Sequence, residues 1–149
     1  MSRAIKVRGV SIDVTAGAAV GTIKKAMGQR TYQAANELRN ATILVLRGKR
    51  SGRSYRVPGT RRSYTASAPG EPPAVRTGAF RMSWQPKARI SGNNYISSVE
   101  SDIQAGRYVL GEILENGTPG GKMKPRPHHD RIRERAEPEI VKIYSRAYF

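Results

Sequence analysis

The chain contains no cysteine, which excludes disulfides and thiolate-held metals. Acidic residues are scarce, 11 Asp and Glu against 27 Lys and Arg, leaving a formal net charge of +16. Aromatic residues are few, at 7%. No apolar run approaches the roughly 20 residues needed to span a bilayer, so no membrane association is expected. The start, Met1-Ser2-Arg3-Ala4, lacks a long apolar segment and a cleavage-like site, so no signal peptide is expected. Synthesis and folding in a reducing cytoplasm follow. Recognised catalytic patterns are also missing. There is no Gly-rich phosphate loop, no nucleophile elbow, and no histidine with a serine or acid partner at a known spacing. Neither an enzyme nor a cofactor is expected. The aromatic strand, GXXG hairpin and Cys/His finger of common nucleic-acid-binding modules are missing as well.

What is present is charge, and it is uneven. Residues 1–62 hold fourteen Lys and Arg but only Asp13 and Glu37 as acids, whereas residues 63–149 hold thirteen basic and nine acidic residues. Such a field attracts nucleic acid or the acidic surface of a protein partner. The length of 149 residues suits a single domain, and 15 Gly and 9 Pro imply ordered loops or arms around a modest core.

The periodicity predicts an α+β fold. A long N-terminal helix packs on a small antiparallel sheet, followed by a long extended loop, a short helix and a C-terminal helix. Residues 1–15 read as an N-terminal arm or strand, with a bulge at Gly9. Thr15 reads as the N-cap of a helix over 16–47, its stripe made by Val20, Ile23, Met27, Thr31, Ala34, Leu38, Ala41 and Val45. Gly28 should kink that helix, Gly48 should end it, and the cluster Ile43-Leu44-Val45-Leu46 should be buried deepest. Phe80, Met82 and Trp84 alternate like a half-buried strand, with Trp84 as core anchor and Pro86 marking an edge. Ser91-Gly92-Asn93-Asn94 turns the chain into a returning strand over 95–103. A short helix follows over 105–115, its Glu112 and Glu115 forming a solvated face. Pro138 should kink the last helix or mark its start. That helix buries Ile132, Ala136, Ile140, Ile143 and Ala147, and Tyr144, Tyr148 and Phe149 form an aromatic end suited to docking.

Residues 48–78 show no period and read as an extended interaction loop. Arg50, Arg53, Arg61 and Arg62 are candidate DNA-phosphate contacts. Arg56 lies with Tyr55 and Tyr64 in the same basic–aromatic run, a composition suited to single-stranded nucleic acid or to a solvated loop. Its last part, Ser67-Ala68-Pro69-Gly70-Glu71-Pro72-Pro73-Ala74-Val75, cannot be helical, because proline lacks an N–H and forces its predecessor into the extended region. Residues 118–128 read as a mobile segment. His128-His129 resembles a metal motif, but adjacent histidines point to different sides in most backbones, so no metal site is expected.

Three segments together resemble one family. Ser67 to Val75, followed by Thr77-Gly78 and Phe80, resembles the "SAPGEPPA…TG-x-L" signature of tailed-bacteriophage neck proteins, the small head–tail joining or tail-completion components of siphophage-type virions and prophages. Tyr108 with Leu114-Glu115 and Gly117-Thr118 resembles the family's "Y…LE-x-GT" element, and Met123-Lys124-Pro125-Arg126-Pro127 its "m-x-P-R-P" element. The chain departs from the family at Arg76, before "TG", and at His128-His129, after "RP". The resemblance implies a structural protein that forms a homo-oligomeric ring between portal and tail, around the channel for double-stranded DNA. Its partners would be the head-completion or adaptor ring and the tail terminator or tail tube. Tyr55, Arg56, Tyr64, Pro69, Gly70, Glu71, Pro72, Pro73, Thr77, Gly78, Glu115, Gly117, Thr118, Arg126 and Pro127 would then serve as partner contacts. Two other readings stay open: a tail terminator capping the tail tube, and a basic nucleic-acid-binding protein.

Overall fold

A computed structural model describes residues 9–15, 21–76 and 78–148. The elements run β1 (Gly9–Thr15), α1 (Gly21–Arg47), β2 (Ser54–Arg56), β3 (Ser63–Thr65), α2 (Ala79–Met82), β4 (Gln85–Ser91), β5 (Asn94–Glu100), β6 (Gln104–Ala105), β7 (Tyr108–Val109), α3 (Leu110–Asn116) and α4 (His129–Ser145). The class is α+β. β5 is the central strand of an antiparallel sheet ordered β1-β5-β4, so β1 and β4 are its edges. Ser97 of β5 sits between Ile12 of β1 and Ala88 of β4. α1 crosses β4 and β5, and α4 packs on α1 and β1.

The core follows the helical stripes. Met27, Thr31, Ala34, Leu38 and Ala41 of α1 are buried, together with Ile132, Ala136, Ile140 and Ile143 of α4. Ala34, Leu38, Ala41, Ile132, Ala136 and Ile140 close on Val10, Trp84 and Val99, and Met27 packs with Tyr95. Thr31 is tolerated inside because its polar atoms are satisfied. Its hydroxyl donates to Met27 O at 2.7 Å and accepts from the Tyr144 hydroxyl at 2.8 Å, and its carbonyl accepts from Ser97 at 2.9 Å. Arg30 fastens the end of α4. Its guanidinium donates to Tyr144 O, Arg146 O and Ala147 O, and lies 3.7 Å from the centre of the Tyr148 ring. These are carbonyls that a helix end leaves without partners. The aromatic end at Tyr144 and Tyr148 thus docks on the body of its own chain, and Phe149 lies outside the described residues.

Several local expectations change. Thr15 is the last residue of β1, paired with Asn94, and is not a helix cap. Residues 1–8, and 16–20 with Val20, lie outside the described residues. α1 runs unbroken through Gly28, which packs close to Ile90 of β4. At the end of α1 only Leu46 is fully buried, and Leu44 is exposed. Residues 79–82 form the short helix α2 instead of a strand. Phe80 and Trp84 are four apart, so they meet on one side of a helical turn, edge to face at 5.6 Å. Met82, their supposed partner, is exposed. Trp84 is a core anchor, and Pro86 lies on edge strand β4, where its missing N–H faces away from β5. β5 ends at Glu100, and the small hairpin β6–β7 precedes α3, so Tyr108 is in a strand. α4 continues on both sides of Pro138, which is exposed and so does not mark the start of the helix.

Candidate functional site

The loop over 48–78 is neither structureless nor wholly extended. β2 and β3 pair within it as an antiparallel hairpin, Tyr55 opposite Tyr64. The turn is held by Val57 N to Arg62 O at 2.8 Å and Thr60 N to Val57 O at 3.1 Å, around Pro58-Gly59. The two tyrosine rings lie 6.0 Å apart. Tyr55 is exposed, as are Arg53, Arg56, Arg61 and Arg62, and none of these arginines forms an ion pair with a described residue. The hairpin therefore presents four guanidinium groups and an accessible aromatic face to solvent.

The proline-rich arm behaves differently. Pro72 and Pro73 are buried. Arg50, read from sequence as a phosphate contact, is turned inward to them. Its Nε donates to Pro72 O at 2.7 Å, and its Nη2 donates to Pro73 O at 3.0 Å and to Val45 O at 2.9 Å. The proline carbonyls have no strand partner, and a planar fork with several donors satisfies them together with the end of α1. Glu71 works beside it. It accepts from the Ser51 hydroxyl, from Ser51 N at 3.1 Å and from Ala68 N at 2.9 Å. These hydrogen bonds, the Ser51 hydroxyl first, pull its pKa down from 4.5 to about 2. Only Pro69 and Gly70 remain exposed at the tip.

The later motif segments close on the same place. Gly70 N donates to Pro125 O at 3.2 Å, and Arg131 donates back to Gly70 O at 3.1 Å. Arg126 Nε donates to Ser67 Oγ at 2.9 Å, and Arg126 N to Leu114 O at 2.6 Å. Pro127 follows, half-buried. Gly117 ends α3 at a φ of +79°, where a Cβ would lie 2.7 Å from Met123 O, so this close, left-handed position requires glycine. Thr118 N donates to Met123 O, and Met123 N to Thr118 Oγ1. Hydrogen bonds thus join Thr118 to Met123 and Arg126 to Leu114 within and beside the segment 118–128. Gly78 precedes α2 with a φ of +87°; Thr77 lies outside the described residues.

Glu115 is not part of a solvated face. Its Oε2 accepts from His128 N at 2.7 Å and His129 N at 3.2 Å, at the start of α4, and lies 3.0 Å from His128 Nδ1. Burial pushes this carboxyl up, but the bonds from the His128 ring and amide and the adjacent imidazoles outweigh it and hold the pKa at about 2. Burial, then the neighbouring His128, lowers the pKa of His129. His128, Glu115 and Arg131 were not linked by sequence, because 13 residues separate the Glu115–His128 pair and 61 separate Arg131 from Gly70. The one local sign was the acid at the end of one helix and the polar start of the next.

Among the described residues no helix is long and apolar enough to cross a membrane. No family model, curated protein or solved structure matches this chain.

Proposed function

We propose that the chain is a structural virion protein forming a ring at the head–tail neck of a tailed phage, joining the head-completion side to the tail and surrounding the DNA channel. The observation that carries this reading is the convergence of the motif segments. Ser67 to Pro73, Leu114-Glu115 and Arg126-Pro127 are far apart in sequence, yet hydrogen bonds through Arg126, Arg131 and Gly70 join them into one surface, which Arg50 ties to the end of α1. A surface ordered before its neighbour arrives loses little entropy on docking, which favours closed head-to-tail assembly. The exposed arginines of the hairpin suit phosphate contacts that carry no sequence information, as a DNA channel requires. The test is mass measurement of the purified chain, alone and with the neighbouring neck proteins. A closed oligomer is expected, at least in their company, and a persistent monomer overturns the reading.

The exposed Arg–Tyr hairpin favours one second reading, a basic nucleic-acid-binding protein. That reading expects steeply salt-dependent DNA binding by the isolated chain, abolished by charge reversal at Arg53, Arg56, Arg61 and Arg62. The neck reading expects the same variant to fail in assembly or DNA passage.

A further inference from the structure

We propose that Glu115, His128 and His129 bind one divalent transition-metal ion, with zinc the best fit, which clamps the end of α3 to the start of α4. The inference stands independently of the neck reading. One ligand atom from each residue lies within 4.8 Å of the other two. The separation of 3.0 Å between Glu115 Oε2 and His128 Nδ1 is already that of neighbouring ligands. Two atoms about 2.1 Å from one ion, at right to tetrahedral angles, are about 3.0–3.4 Å apart. The donor set of imidazole nitrogen and carboxylate oxygen suits zinc and its neighbours, and not calcium or magnesium, which require mostly oxygen. Three protein ligands leave a further position for water or a partner's side chain.

The second observation is His128 itself. It is fully buried. Its Nδ1 faces Arg126 O at 2.9 Å as well as Glu115, while its Nε2 is buried without a hydrogen-bond partner among the described residues. With its proton on Nε2, the neutral ring turns the Nδ1 lone pair toward Glu115 Oε2, so Nδ1 is the atom that would share an ion with the carboxylate. Phe80 and Trp84 pack edge to face around the imidazoles, with Trp84 5.9 Å from His128 and 6.2 Å from His129, and screen the cluster from water. Glu115 keeps 19% of its side chain exposed, which gives an ion a way in.

The chain has no cysteine and only these two histidines, so nitrogen ligation by imidazole has one place. The experiment uses the full chain without an affinity tag, stripped with chelator and titrated with zinc chloride, and separately with cobalt chloride while the fluorescence of Trp84, the one tryptophan, is followed. Saturable one-to-one zinc binding and quenching by cobalt are expected. Affinity should fall roughly 10–100-fold or more in His129→Ala and in Glu115→Gln. Because either substitution can cost the fold, the ring signals of both histidines are also followed by NMR in the unaltered chain, where zinc should shift the two together. Absence of saturable binding, unmoved imidazole signals, or equal affinity in folded variants overturns the proposal.

Discussion

At the residue scale the fold of the motif surface rests on Arg50. It is a charged residue used as a backbone partner, spanning carbonyls from α1 and from both buried prolines. Arg50→Ala leaves those acceptors without donors and should cost about 2–3 kcal/mol in chemical unfolding. Arg50→Lys should recover less than half of that, because a single ammonium cannot reproduce the planar fork. Glu71 gives a pH signature. Its folded pKa of about 2 lies below the ordinary 4.5, so its stabilisation is fully present above about 4.5 and is lost as pH falls toward 2. In urea titrations, Glu71→Gln should be less stable than the parent near neutral pH and converge with it at the acid end. A constant gap at all pH values would contradict the assignment.

At the element scale the β2–β3 hairpin stands apart from the core, since its strands pack chiefly on each other. Replacing residues 54–65 by a short Gly-Ser link should change the unfolding free energy by less than about 0.5 kcal/mol. Charge reversal of Arg53, Arg56, Arg61 and Arg62 should flatten the dependence of DNA affinity on salt, by about 0.9 in log–log slope for every phosphate that is no longer neutralised. The arm over 67–73 is not expendable in this way, because its prolines are part of the packed body. The elements also mark what could be read in advance. The stripes of α1 and α4 were legible because Leu38, Ala41, Ile132 and Ile140 recur at helical steps, and the β4–β5 turn because Gly92-Asn93 admits little else. Phe80-Arg81-Met82-Ser83-Trp84 was not, since its apolar residues satisfy a period of two and a spacing of four equally well. The small pairs β2–β3 and β6–β7 are too short to show a period. Of the site, the motif segments were visible, but the inward turn of Arg50 and the Glu115–His128 contact depend on tertiary closure that no local pattern encodes.

At the scale of the whole molecule, a net charge of +16 sits on a small body whose sheet, among the described residues, has β1 and β4 as its edges. Like-charged copies repel, so the proposed ring would need that charge offset by an acidic neighbour, DNA phosphates or added salt. Mass measurements across a salt series should therefore show assembly of the isolated chain favoured by higher salt, or by added neck partners, and not by lower salt. The central claim is a position in the virion. On the proposed reading it is tested most directly by electron microscopy of phage particles produced by cells that carry the gene, with the protein labelled. The account predicts a ring of label at the junction of head and tail, and label-free virions would contradict it.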